Sequence, residues 1–451
     1  MGQVGKSEPG LAMNSANWDR ARLCRLAFNL VAAGLIAQLM FNLIMERLGY
    51  NYPYTIFTFR PYDRWADFFK LVFAYPGDPI HQPVRPWGVQ ALVDFMRARA
   101  DEMRGTKINP DHMPPLPTLL ALLVRRAFSL FDPVLVFIVA SMAGLYSLAK
   151  VMSGFARQQA EQLRWAGVAL MSYPLWFAAD RGHFFSLICA ITLIAGSRRV
   201  VETRQFDWQA LLLLALSCNL RPNVVIVPVM LVLCGQAGSF RDLVRLGFYG
   251  AAVLVLTMIA SHLLYPHYGP AAWLAGLKDY NEAYIKQPLA LGFMTSLPSL
   301  LNMCLGFSKV WTLLCIALAA IMGGLTVLAA RAGRMTMGQV LFIALGLMII
   351  AIPAFVDYHL LPLVLPVAVI ATSATSPVRG DWLAFAGCII LLIPKNYLFG
   401  NDHYFLAWSY QVMANPMITL AAMIAVLAAA VQGHWGEVMG EVRRLKLIFV
   451  P

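Results

Sequence analysis

The chain has 451 residues, of which 59% are apolar and only 13% charged, and its mean hydropathy is +0.65. This composition excludes a soluble globular domain and indicates an integral membrane protein. The formal charge of +12 does not point to nucleic acid as a partner, because the Lys and Arg residues mostly flank apolar runs. The seven cysteines lie in or beside apolar runs without a CxxC pair, so we expect small buried residues rather than a zinc site or disulfide framework.

Apolar runs recur along almost the whole chain, which predicts an all-α polytopic membrane protein with about 12 transmembrane helices in one domain, 1–451. Several runs are short for a full crossing and are expected to be tilted, broken or re-entrant. A weaker stretch, 289–306, is expected to lie flat on the surface or to add a crossing. The expected spans are 24–46, 132–152, 163–179, 184–199, 207–219, 223–236, 246–264, 309–330, 338–355, 359–374, 381–396 and 415–432.

Basic residues predict the orientation of these spans. The polar start and long first apolar run indicate a retained first helix rather than a cleaved signal peptide. Both termini are then cytoplasmic, and the outer segments are 47–115, 265–308 and 395–414. In 47–115 we expect short helices on the outer surface, including an amphipathic one near 87–104. The residues that set this orientation are Arg20, Arg22, Arg25, Lys150, Arg157, Arg164, Arg198, Arg199, Arg204, Arg241, Arg245, Arg331, Arg334, Arg379, Arg443, Arg444 and Lys446.

Four polar clusters interrupt the apolar pattern, and this topology places all of them on the outer side. Charge at a membrane boundary is costly unless it faces water, a partner or a substrate. Convergence on one face therefore predicts a single polar cavity. The clusters are Asp63-Arg64-Trp65-Ala66-Asp67, Asp180-Arg181-Gly182-His183, Asn219-Leu220-Arg221-Pro222-Asn223 and Asp357-Tyr358-His359.

The first cluster has the residue types of a general base beside a phosphate site. Asp63 and Asp67 are four residues apart and share a face if the segment is helical, with Arg60 and Arg64 nearby. An ionised carboxylate can take a proton from a hydroxyl, and a cation can hold a phosphate leaving group. The alternative is a solvated helix whose charges pair along one face.

The other clusters allow both a structural and a binding interpretation. Asp180 can cap a helix, which leaves Arg181 and His183 unexplained. Arg221 beside Pro222 at a helix start favours an anion, although a snorkelling arginine gives the same pattern. His359 is suited to a phosphate or a sugar hydroxyl, or is an interfacial histidine with a partner. The polar and aromatic stretch 278–287 suits a sugar or is a surface loop.

In chain order, several short motifs resemble those of the GT-C superfamily of glycosyltransferases. The chain is most similar to the branch of polytopic mannosyl- and arabinofuranosyl-transferases that use polyprenyl-phosphate sugars. Met113 stands where that branch usually has Tyr, and His183 where it usually has Asn. The motifs are DRWADFF at 63–69, MPPLPTLL at 113–120, DRGHFFSLI at 180–188, LRPN at 220–223, KDYNEAY at 278–284 and DYHLL at 357–361.

The resemblance implies a GT-C-like fold and inverting transfer of a sugar to a lipid or glycan acceptor. Asp67 would be the general base, with Asp63 as the alternative, in an active site on the periplasmic side of a bacterial inner membrane. A lipid-linked sugar is the implied donor, and no carboxylate set demands a metal. The donor phosphate would be held by Arg221, Arg181, His359 and Arg64. The implied substrate-binding residues are Asp180, His183, Asn219, Asp357, Tyr358, Tyr280, Asn281 and Tyr284.

Two other functions fit a chain with about 12 spans and Pro-interrupted helices. One is a transporter or a flippase for lipid-linked glycans, and the other is a non-catalytic subunit on the same scaffold. No internal repeat is visible and 47–115 is long for a carrier, which favours the transferase. The sequence has no Walker, GxGxxG or HExxH motif, so cytosolic nucleotide chemistry is not supported.

Overall fold

The computed structural model describes residues 10–47, 97, 113–181, 183–280, 294–306, 308–353, 355–373, 377–393 and 410–449. Over these ranges the predicted all-α class is confirmed, and the β contact is one isolated bridge between Met294 and Val356. The α-helices are α1 Gly10–Arg47, α2 Pro115–Leu130, α3 Pro133–Ser153, α4 Gln159–Met171, α5 Tyr173–Arg181, α6 Phe184–Thr203, α7 Trp208–Leu220, α8 Ile226–Leu233, α9 Phe240–Leu264, α10 Pro270–Tyr280, α11 Leu297–Leu305, α12 Lys309–Arg331, α13 Met337–Ala351, α14 Val364–Thr372, α15 Arg379–Leu392, α16 Tyr410–Val431 and α17 Trp435–Phe449. Short 3-10 helices lie at Pro222–Val225 and Asp357–Leu363.

Six of the described helices are long and apolar enough to cross a membrane. The expected number of about 12 spans is not confirmed, because several apolar runs form helices shorter than a full crossing. Only 11% of each of the spans Val134–Ser153 and Phe240–Leu264 is buried in the protein, as expected for helices that face lipid. The other four spans are Ala21–Phe41, Phe184–Thr203, Lys309–Arg331 and Ala414–Val431.

Several basic residues, among them Arg204 and Arg331, lie at one end of the bundle, which we call the basic end. There Arg204 donates to the carbonyl of Gln236, whose side chain donates to the carbonyl of Met335. Arg331 donates to the carbonyl of Leu233 at the same end. These bonds bring together the end of α6, just before α7 begins, the end of α8, the end of α12 and the start of α13. Helices α7 and α8 therefore form a hairpin with both feet at the basic end.

The two helices of this hairpin are short. Helix α7 has 13 residues, which at 1.5 Å per residue reach about 20 Å from the basic end. A bilayer core is about 30 Å thick, so α7 alone, which ends just before Arg221 and Pro222, is too short to cross it. The chain reverses there because Arg221 is extended, with φ −148° and ψ 102°, and Pro222 starts the following turn.

A second broken hairpin rises from the same end. The side chains of Thr336 and Gln339 donate to Asp381, which places the starts of α13 and α15 side by side. Helix α13 has 15 residues, about 22 Å, and ends just before Pro353. The chain then returns through the 3-10 helix and α14. The breaks of the two hairpins thus lie at similar depth.

The stretch expected at 289–306 neither lies on the surface nor crosses, as far as it is described. Helix α11 has nine residues, too few for a crossing, and Leu297 and Asn302 are buried. The hydroxyls of Ser296 and Ser299 donate to the carbonyl of Pro353, at 3.0 and 2.6 Å. These bonds fix the segment against the break that follows α13.

Two helices differ from the expected spans. Helix α2 is not among the expected spans, and it carries Arg125 and Arg126 in its second half. The hydroxyls of Ser261 and Tyr268 donate to the carbonyls of Pro115 and Met113, which fastens the start of α2 to the end of α9. The single span expected at 163–179 is broken at Ser172 into α4 and α5.

Candidate functional site

Three of the four predicted polar clusters meet around one aromatic ring. The Tyr358 ring stacks on His183 with centroids 4.3 Å apart, and His359 meets it edge-on at 4.4 Å. The Arg221 guanidinium carbon lies 5.7 Å from the same ring. These residues, with Ser186, are called the tip cluster below. The segments 180–183, 219–223 and 357–359 therefore converge, while the fourth, 63–67, lies outside the described residues.

Arg221 is a cation held by neutral groups. Its Nη2 donates to the hydroxyl of Ser186 at 3.0 Å, and its guanidinium faces the Tyr358 ring. Its Nε is buried and has no hydrogen-bond partner in the described part of the chain. No carboxylate there pairs with Arg221, so the cation is neutralised by no described side chain. Such a cation is suited to an anionic ligand.

The two histidines each use one ring nitrogen to hold the backbone. His183 caps the start of α6, where its Nδ1 accepts the Ser186 N–H at 3.2 Å. His359 Nδ1 accepts the Val356 N–H at 3.1 Å. The His359 Nε2 is buried and has no partner in the described chain. A buried polar atom without a partner costs about 1–3 kcal/mol, so a ligand that contacts it would recover that free energy.

Asp357 anchors the cluster from behind. It is fully buried and accepts hydrogen bonds from Tyr173 at 2.5 Å, from Thr295 and from Asn415 at 3.0 Å. The three donors come from α5, the segment before α11, and α16. This geometry gives Asp357 a structural role that fixes the adjacent Tyr358, and its expected contact with substrate has no support here.

Asn219 also has a structural position. Its side-chain nitrogen donates to the carbonyls of Ala215 and Gly250, at 2.9 and 3.1 Å. These bonds tie α7 to α9, and the described contacts of Asn219 do not include the tip cluster. The expected role of Asn219 in substrate binding is therefore unsupported by its contacts.

Several expected site residues cannot be placed by their side chains. Asp180 and Arg181 end α5, close to His183 in the chain, and Tyr280 ends α10; only their helical backbone is described. Their roles stay predictions. Outside the described residues lie Asp63, Arg64, Asp67, Asn281 and Tyr284, the amphipathic helix expected near 87–104, and most of the outer segments 47–115 and 395–414.

An apolar cavity of about 330 Å³ begins beside the tip cluster. Phe184 and Phe185, which directly follow His183, form part of its wall, and the other walls come from α2 and α3. The small residues Ala140 and Gly144 leave space on α3, and Ser147 is the one polar side chain in the lining. The cavity is therefore suited to a hydrocarbon chain rather than to a polar group.

Sequence reasoning missed both this cavity and Ser186. Ser186 is buried on α6, where it orients Arg221, and its signal was its place three residues after His183 in the DRGHFFSLI motif. In the described part of the chain, no group of three or more His, Cys, Asp or Glu residues could hold a metal ion. Comparisons with protein-family models, with curated proteins and with solved structures found no match.

Proposed function

We propose that the protein is a membrane glycosyltransferase that moves a sugar from a polyprenyl-phosphate donor to a lipid or glycan acceptor. The observation that carries the proposal is the tip cluster beside the apolar cavity. A cation that no described carboxylate pairs with, and imidazole groups, lie next to a space walled by hydrocarbon. A ligand with an anionic head and a long apolar tail matches both parts.

In the proposed reaction, one set of residues stabilises the phosphate of the donor and another residue deprotonates the acceptor. Arg221 and His359, with Arg181 and Arg64 as further candidates, stabilise the phosphate as its negative charge develops. Asp67, or Asp63 in its place, takes the proton from an acceptor hydroxyl. The acceptor oxygen then bonds to the anomeric carbon as the bond from that carbon to the phosphate oxygen breaks. Polyprenyl phosphate leaves with the electron pair, and the anomeric configuration inverts.

We place this chemistry on the outer side of the membrane. The excess of Lys and Arg at the basic end favours the cytoplasm for that end, so the tip cluster opens toward the periplasm of a bacterial inner membrane. Helix α1 packs on α4, where Cys24 contacts the carbonyl of Glu161. Its last residue, Arg47, leads into the segment that carries Asp63 and Asp67. This course supports a first loop on the same side as the tip cluster.

The test is transfer by purified protein in nanodiscs from a panel of labelled polyprenyl-phosphate sugars. We expect either Asp67→Asn or Asp63→Asn to abolish transfer while the variant still folds and binds donor, which identifies the base. Asp242→Asn, at the basic end, is the control and should leave transfer unchanged. Undiminished transfer by both loop variants would refute the base, and failure of wild type with every donor would contradict the transferase.

The cavity makes a separate prediction about the lipid. Ala140→Leu fills part of the space, so the KM for a long-chain donor should rise roughly tenfold, as for a pocket that loses room for one or two methylenes. Ala251→Leu, at an exposed position of the lipid-facing helix α9, adds the same bulk and is the matched control. Equal KM values for the two variants would place the donor tail elsewhere.

A second candidate, a flippase for lipid-linked glycans, is favoured by the two broken hairpins. Half-length helices that meet inside a bundle are typical of transporter sites. Movement of a fluorescent lipid-linked sugar across liposome membranes in the absence of any acceptor would favour this function. Transfer that requires acceptor, without such movement, would favour the transferase.

A further inference from the structure

We infer that His183 and His359 are fixed as neutral Nε2–H hydrogen-bond donors, so that the tip cluster binds an oxyanion through donors alone and offers no histidine base. The inference rests on the proposed function only for the identity of the anion, a phosphoester. The tautomers follow from the contacts of the free protein.

The backbone fixes each ring. The Nδ1 atoms of His183 and His359 accept the N–H groups of Ser186 and Val356. A nitrogen that accepts an N–H must keep its lone pair, so neither ring can be an imidazolium while this bond is made. The one proton of the neutral ring is then on Nε2.

Among the described residues, the buried atoms of the cluster that lack a hydrogen-bond partner are donors. His359 is only 8% exposed, and its Nε2 has no partner in the described part of the chain. The Nε–H of Arg221 is likewise buried and without a described partner. The nearest carboxylate in sequence, Asp357, is engaged by Tyr173, Thr295 and Asn415. A ligand oxygen that only accepts hydrogen bonds would therefore satisfy both of these donors.

This arrangement has a chemical consequence. Nδ1 is occupied by the backbone and Nε2 already carries a proton, so neither histidine has a lone pair with which to activate an acceptor hydroxyl. The base has to come from another segment. The same donors favour a phosphoester over a neutral sugar hydroxyl, because hydrogen bonds to a charged acceptor are roughly twice as strong.

The first experiment reads the tautomers without any ligand. Protein with ¹⁵N-labelled histidine is placed in nanodiscs, and the ring nitrogen shifts are assigned by single His→Gln substitutions. His262 is an internal control, because its Nδ1 lies 2.8 Å from the carbonyl oxygen of Tyr268, which can only accept. We expect Nε2–H at His183 and His359, and a protonated Nδ1 at His262. A protonated Nδ1 at His359 at pH 7 would overturn the inference, whatever the outcome of the transfer assay.

The second experiment tests the anion. Binding of farnesyl phosphate is compared for His359→Gln, which keeps an N–H donor at similar reach, and His359→Glu, which presents only acceptors. We expect Kd to rise about threefold for the first and at least about thirtyfold for the second, in line with the cost of replacing a donor to a charged group. The same pair of substitutions at His262 should change nothing. Equal Kd values for the two His359 variants, or no binding by wild type, would refute a phosphoester site.

Discussion

Arginines at the two ends of the hairpins differ in what neutralises them. At the basic end, the Nε and Nη2 atoms of Arg199 both donate to Oδ2 of Asp207, at 2.8 and 2.5 Å. Arg334 pairs with Glu437 at the same end. At the tip, Arg221 has a serine hydroxyl and an aromatic face but no described carboxylate. An arginine that is paired inside the protein stabilises the fold, whereas one held by neutral groups keeps its charge for a ligand.

The largest effect is expected from removing the charge of Arg221, which no described carboxylate pairs with. Arg221→Gln should lower kcat/KM for sugar transfer on the order of 100-fold, because one charged donor to the leaving phosphate is lost. The melting temperature should change little, since the side chain makes one hydrogen bond to a neutral group. Arg245→Gln, at the basic end, is the matched control with normal kcat/KM. A wild-type kcat/KM in Arg221→Gln would remove the functional distinction between the two ends.

The reciprocal change at the basic end should affect stability instead. Asp207 caps α7 by accepting the N–H of Ala210, and it pairs with Arg199, whose hydrogen bonds lower the pKa of Asp207. Asp207→Ala should destabilise the protein by about 1–2 kcal/mol, as for the loss of a helix cap. Thermal unfolding measures the loss, with the exposed Glu202→Ala as control. A large fall in kcat per folded molecule would contradict a purely structural role.

A smaller effect is expected from changing Ser186, whose hydroxyl orients Arg221. Ser186→Ala removes the hydrogen bond to Arg221, so the KM for donor should rise about fivefold while kcat is retained, the effect of one neutral hydrogen bond. Ser197→Ala on the same helix is the control, because the Ser197 hydroxyl is buried without a described partner. A fall in kcat rather than a rise in KM would mean that Ser186 acts beyond binding.

The smallest effect concerns a surface pair. Hydrogen bonds from Arg334 lower the pKa of Glu437 from its usual 4.5. A carboxyl whose pKa is depressed by folding stabilises the folded state above the unfolded pKa, and this contribution is lost as the pH falls through the folded pKa. The melting temperature of Glu437→Gln should therefore be slightly below that of wild type at pH 7, and the two should converge below pH 4.5. If the melting temperatures of the two proteins differed by the same amount at all pH values, the ion pair would not be the source of the difference.

The convergence of the polar clusters could be predicted from the sequence, because each cluster interrupts an apolar run and such interruptions mark helix ends. Basic residues then assign those ends to one side. Arg221, His183 and His359 were found in this way. Depth was not predictable, since short runs such as 207–219 are compatible with a tilted crossing as well as with a hairpin that stops inside the bilayer.

The role of each polar side chain was harder to predict than its position. Asp357 and His359 are two residues apart in one short helix, yet the first is a buried anchor and the second leaves a donor without a partner. Their surroundings come from distant segments, and no local pattern reveals Thr295 or Asn415 as partners. The apolar cavity was missed for the same reason, because it depends on where Ala140 faces other helices.

The anchor of Tyr358 is assembled from parts that are made at different times. Tyr173 lies 184 residues before Asp357 and Asn415 lies 58 residues after it. Asn415 is thus translated after Asp357, so this one of the described hydrogen bonds forms only once α16 has been made. The contacts that fix Tyr358 from behind are therefore complete only after α16 has joined the bundle.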